Sequence, residues 1–209
     1  MRVDIDYRQF IKSYWNYFLE LEEQLISTKR FVDFDKSNNK TFSIEYLKLL
    51  QATCSEIDVV AKIMAEWFEP EFKSLDNKNI QKWGLAIQNA FSNIEGMAVR
   101  FNNDYNIVPW NNWAYEKYLN KKGNVSYRLI KGKQTPAWWT AYNKVKHERT
   151  SAYGSGQTNY VRANLENLIC AMAALYILET LFLSSLNGNG STVTYKKSKL
   201  FELFDEENG

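Results

Sequence analysis

The chain of 209 residues contains one histidine, His147, and that count narrows the proton-transfer chemistry open to it. Imidazole is the side chain whose unperturbed pKa lies near neutrality, so His147 is the natural acid or base. It lies in the run Trp138-Trp-Thr-Ala-Tyr-Asn-Lys-Val-Lys-His-Glu-Arg149. At helical spacing Trp139, Asn143 and His147 fall one turn apart, with Tyr142 and Lys146 beside them, while Trp138, Ala141 and Val145 form a separate apolar face. Such a helix offers His147 as acid/base, Asn143 as an orienting amide, and Lys146 and Arg149 as phosphate-neutralising cations, with Lys144 nearby. Metal-independent RNA cleavage needs these parts: a base for the 2′-hydroxyl, cations around the phosphorane and an acid for the leaving oxygen. The same residues also fit a partly buried histidine bridged through Asn143 to a neighbouring loop. Glu56 is a candidate partner for one of the cations, or a solvated surface glutamate.

Charge concentrates around this helix. Lys117, Lys121, Lys122, Arg128, Lys131, Lys133, Lys144, Lys146 and Arg149 face a single acid, Glu148, so residues 117–149 carry +8 in a chain of net charge +2. The remainder therefore sums to −6. Trp110, Trp113, Tyr115, Tyr118, Tyr127, Trp138 and Trp139 lie in or beside the stretch, a composition that suits RNA, whose phosphates attract cations and whose bases stack on rings. A solvated basic face beside ordinary core aromatics has the same composition. Lys144, Tyr142, Trp139, Lys131 and Lys133 are the candidate RNA contacts.

Composition excludes several alternatives. With one histidine and two cysteines, Cys54 and Cys170, the usual paired zinc-ligand spacings are missing, and no metal or cofactor is expected. The two cysteines read as buried thiols rather than a disulfide framework. The longest apolar run, Leu168 to Leu178, falls short of the roughly 20 residues that span a bilayer. The charged start, Met1-Arg-Val-Asp-Ile-Asp, does not read as a signal peptide, so a cytoplasmic protein without membrane contact is expected.

Helical periodicity organises most of the chain. Tyr7, Phe10, Ile11, Tyr14, Phe18, Leu21 and Leu25 form one stripe, ending near Arg30. Ser43 is an N-cap for a second helix that runs to Pro70, with Asp58 and Lys62 as an exposed pair. A third helix covers Asn79 to Phe91. Thr135 followed by Pro136 predicts an N-cap and first turn for the His147 helix. A last helix runs from about Thr158 to Leu186, apolar on every side at its centre. Between residues 93 and 135 the period fades, and Met97 to Phe101 and Tyr127 to Ile130 are candidate strands of a structured insertion. Thr192 to Tyr195 is another candidate strand, and residues 204–209 form an acidic tail. The expected fold is mainly α: a bundle of four to five helices in a single domain spanning 1–209, with a small irregular or β insertion between helices 3 and 4.

The motif Tyr-Asn-x-Val-Lys-His-x-Arg, followed by the alanine-rich helix from Ala163, resembles the HEPN superfamily, particularly its bacterial and phage-defence branches. The resemblance is concentrated in about 50 residues near the C-terminal end. It implies a helical bundle, a homodimer whose motif helices meet across a two-fold axis, and a metal-independent ribonuclease acting in phage defence or as a toxin, with an antitoxin or defence-system partner. Asn143 and His147 match the family's polar and catalytic positions. Tyr142 stands where the family has arginine, which favours the superfamily's other class: catalytically silent modules that bind RNA, a nucleotide or a protein partner.

Overall fold

The computed structural model describes residues 5–154, 156–188 and 194–204. Asp6 starts the first helix by accepting from the Gln9 N–H at 2.8 Å. This helix runs unbroken from α1 (Tyr7–Phe10) through a π turn (Ile11–Trp15) into α2 (Asn16–Thr28). A π turn widens the repeat and rotates the buried stripe that follows it. Trp15 rather than Tyr14 therefore enters the core, its indole N–H donating to Lys196 O at 2.7 Å.

Ser43 caps α3 (Ile44–Phe68), its hydroxyl accepting from Tyr46 N at 3.0 Å. Asn79 caps α4 (Ile80–Ala90) in the same way. α5 (Ala137–Glu148) begins at Pro136 with no side-chain cap, so the cap expected from Thr135 does not form. The last helix, α6 (Leu165–Leu186), is capped by Asn164 and is shorter than its periodicity predicts. Residues Asn159–Arg162 instead form a 3-10 turn against the end of α5, where Asn159 Nδ2 donates to Glu148 O at 2.9 Å.

A helical bundle with a small insertion is not what the chain forms. The architecture is α+β, with five strands in two antiparallel sheets among the described residues. The first sheet has the order β2 (Tyr105–Ile107), β1 (Val99–Phe101), β5 (Phe201–Leu203), with Val99 opposite both Ile107 and Leu203. The second is a hairpin, β3 (Tyr115–Leu119) with β4 (Val125–Leu129), pairing Tyr115 with Leu129 and Leu119 with Val125. Three-residue strands carry too few alternations to register as a period, and β5 joins its sheet from the far end of the chain. The candidate strand at Thr192 to Tyr195 lies partly outside the described residues, and its described part, Thr194 and Tyr195, is not in a strand. The acidic tail from 205 onward also lies outside them.

α3 and α6 form the centre, with α2, α4 and α5 packed around them and β1 and β5 against α6. By length and composition α6 is able to cross a membrane, yet 72% of its most apolar window is buried inside the fold. The sheet region belongs to this core. Trp110 and Trp113, with ring centroids 4.3 Å apart, meet Trp83 of α4 and Trp138 and Trp139 of α5 in one buried tryptophan cluster. Gly84 makes room for it: a Cβ there would sit 2.6 Å from the Trp113 ring. Asp58 is part of the same joint, since it pairs with Lys62 and also accepts from the Trp83 indole at 3.2 Å.

Candidate nucleic-acid interface

α5 leaves the core gradually along its length. Trp138, Ala141 and Val145 are buried, as their spacing predicts. Trp139 and Tyr142 are buried too, 8% and 6% exposed, with the Trp139 ring 5.6 Å from Trp83 and 5.4 Å from Tyr142. Neither offers a face on which a base could stack. Asn143 is half-buried, and Lys146, His147 and Arg149 are exposed at the helix end.

The hydrogen bonds separate the proposed catalytic group. Asn143 Nδ2 donates back to Trp139 O at 3.0 Å, one turn toward the N-terminus, and so does not orient His147. Lys146 Nζ donates to the Tyr142 hydroxyl at 3.2 Å and lies 5.3 Å from its ring centroid. Tyr142 thus holds the Lys146 cation against its ring and hydroxyl. Lys144 pairs with Glu148 at 2.8 Å, and Arg149 Nε reaches Val145 O at 3.5 Å. Cations in a last helical turn also complement the negative end of the helix dipole, which stabilises α5 whatever else they do. Glu56 forms no ion pair with them among the described residues; it lies near Tyr14 and Glu179, and burial raises its carboxyl pKa.

Nucleophilic sulfur is not at hand. Burial pushes the Cys54 thiol well up and that of Cys170 to about 12, so both stay protonated near neutral pH. Among the described residues no three His, Cys, Asp or Glu side chains converge as a metal site would require.

Most of the basic stretch lies on the β3–β4 hairpin and the segment after it. The hairpin's base is fixed to α4: Gln88 Nε2 donates to Trp113 O at 2.6 Å, and its Oε1 accepts from Tyr115 N at 3.1 Å. Its turn is tied by Asn120, whose Oδ1 accepts from Lys122 N at 2.9 Å and Asn124 N at 3.1 Å, while Gly123 takes a φ of 76°. Its outer half stands clear of the core, with Leu119 69% and Val125 59% exposed. On one face Lys117 and Lys82 of α4 lie 6.0 and 5.8 Å from the Tyr127 ring centroid. On the other, Arg128 lies 4.6 Å from Tyr118 and pairs with Glu116. Lys133 pairs with Glu95, whereas Lys117, Lys121, Lys122 and Lys131 are exposed and meet no carboxylate among the described residues.

The expected strand at Tyr127 to Ile130 overlaps β4, and Asn120-Lys-Lys-Gly-Asn124, a turn signal not among the sequence expectations, joins it to β3. No family model, curated protein or solved structure matches the chain significantly.

Proposed function

We propose that this protein binds RNA, with the β3–β4 hairpin as the principal contact. One observation carries this: a tightly turned two-stranded ribbon projects Lys117, Lys121 and Lys122, free of carboxylate partners among the described residues, beside two tyrosines that already carry cations. Cations that need not leave an internal ion pair are available to displace counterions from phosphates, and half-buried tyrosines offer π-faces to unpaired bases. The test is the salt dependence of binding to a single-stranded oligoribonucleotide, followed by fluorescence anisotropy. Combined Lys117→Ala, Lys121→Ala and Lys122→Ala substitutions should lower the slope of log K against log salt by about 2, or about 0.7 per lost phosphate contact. An unchanged slope would rule the hairpin out.

Cleavage is a second reading, favoured by one feature. His147 is exposed between Lys146 and Arg149 at a single helix end, where a second copy meeting it across a two-fold axis, as the HEPN resemblance implies, would double the cluster. In this case total RNA is cut in EDTA by the wild type and not by His147→Ala. Equal activity of the two, or none from either, leaves binding alone.

A further inference from the structure

A cavity of about 740 Å³ opens beside the start of α5, away from His147 and from the hairpin tip. Its volume lies in the range of small-ligand sites, roughly 300–1,000 Å³. The walls combine three kinds of group. Phe42 and Tyr153 leave large rings exposed at its edge, 41% and 43%. The carboxamides of Asn111, Gln134 and Gln157 line it and make no hydrogen bond within the described residues. The Arg162 guanidinium lies 3.9 Å from the Tyr153 ring centroid, is steadied by Nε donating to Asn159 Oδ1 at 3.0 Å, and has no carboxylate partner among the described residues.

The acid in the wall is already neutralised, since Glu166 pairs with Lys40 at 2.5 Å. The N–H groups that open α6 are also spoken for: those of Leu165, Glu166 and Asn167 donate to Thr41 O, Asn39 O and Asn164 Oδ1. Arg162 is therefore the cation of the wall that has no carboxylate partner among the described residues, and α5 starts at the same wall with no side-chain cap at Pro136.

Rings, free carboxamides and one unpaired guanidinium define a specific chemistry. A carboxamide presents a donor and an acceptor together, the pattern of a nucleobase edge, and exposed rings supply the stacking platform. An apolar ligand would strand the amides, and a polyanion would ask for more cations than the wall holds. We propose that this cavity binds one phosphorylated nucleoside, its base against Phe42 and Tyr153, its edge read by Gln134 and Gln157, and its phosphate on Arg162. The nucleoside is either a free mononucleotide or the terminal unit of an RNA, and only the second source rests on the RNA-binding function proposed above.

Calorimetric titration with AMP, GMP, CMP and UMP, with inorganic phosphate and with a short 5′-phosphorylated oligoribonucleotide separates these cases. The variants are Arg162→Gln and a Gln134→Ala, Gln157→Ala pair; the latter two residues are exposed and can be truncated without disturbing the core. A free-nucleotide site shows at least one mononucleotide binding more tightly than phosphate, weakened about tenfold or more by either variant and untouched by the three hairpin lysine substitutions. A terminal-nucleotide site shows that same loss with the oligonucleotide alone. If neither ligand responds to Arg162, Gln134 or Gln157, the cavity proposal is overturned, even where the hairpin substitutions still weaken the oligonucleotide. If mononucleotide binding follows the cavity variants while oligonucleotide binding ignores the lysines, the cavity stands and the hairpin falls.

Discussion

Replacing Glu179 by leucine should raise the free energy of unfolding near pH 7 by about 3 kcal/mol and remove most of the pH dependence of stability. Glu179 lies within α6, fully buried, and neither carboxyl oxygen has a hydrogen-bond partner among the described residues. Burial is the main reason its pKa is raised well above the usual carboxylate range, and the nearby charge of Glu56 on α3 adds to the effect. Tyr14, on the π turn, lies near Glu56 and is raised by burial first and by that glutamate second. The unfolded chain releases this proton near pH 4.3, roughly the free glutamate value, whereas the folded chain holds it to higher pH. Between those two points the folded state binds more protons, so stability falls as pH rises, by up to about 1.4 kcal/mol per pH unit. Half-buried Glu56 contributes with the same sign. Urea unfolding of wild type and Glu179→Leu between about pH 5 and pH 8 measures this directly. Wild type should lose stability across the series while the leucine variant stays nearly level and higher throughout. Parallel curves would show that Glu179 is ionised and solvated in the folded protein. Glu179→Gln separates the two effects, because it removes the titration but leaves a buried amide without partners.

The contrast between Glu179 and the rest of α6 shows what periodicity reveals. A helix apolar on every side is read from sequence as a buried helix, and α6 is buried. Caps at Ser43 and the breaker Pro70 bound α3 as expected, because capping and proline geometry act within a few residues. Pairings between distant segments were not legible: β5 meets β1 about 100 positions away, and nothing within Phe201-Glu-Leu203 announces it. The tryptophans were misleading for a related reason. Composition placed Trp138 and Trp139 beside cations, but only packing against Trp83, Trp110 and Trp113 determines that these rings are core. Asn143 shows the limit at the scale of one side chain. Its spacing from His147 is right for contact, yet its amide bonds to Trp139 O on the opposite side, a choice between two turns of one helix that spacing does not decide. The cavity at the start of α5 gathers residues from 40 to 170, so no local motif could have pointed to it.

Glu22 governs whether the last strand stays on the fold, and Glu22→Ala should cost about 3 kcal/mol, a drop in Tm of roughly 6–12 °C. The residue lies on the buried side of α2, 1% exposed. Unlike Glu179 it is fully engaged: its carboxylate accepts from Lys199 N and Leu200 N, each at 3.0 Å, and from the Ser198 hydroxyl. These bonds hold the turn that leads into β5, where Phe201 packs 5.3 Å from Phe101 and 6.1 Å from Phe18. Truncation leaves the buried Leu200 N–H without its acceptor and takes the same acceptor from the half-buried Ser198 hydroxyl and the Lys199 N–H, and each buried group left unsatisfied costs about 1–3 kcal/mol, less whatever water and relaxation recover. The chain's way of recovering is to release residues 198–203. The loss should therefore be local as well as global. Hydrogen exchange on the variant should show the amides of β5, and of β1 opposite it, losing protection at denaturant concentrations where α3 and α6 keep theirs. Uniform loss of protection would mean that β5 and the helical core unfold as one unit. Glu22→Gln is the sharper control, since its single acceptor oxygen can keep part of the network, and its cost should fall between those of wild type and alanine. Together the two buried glutamates show why burial alone does not determine the effect of an acidic residue: Glu22 pins a strand because three donors face it, and Glu179 weighs on the core because none does.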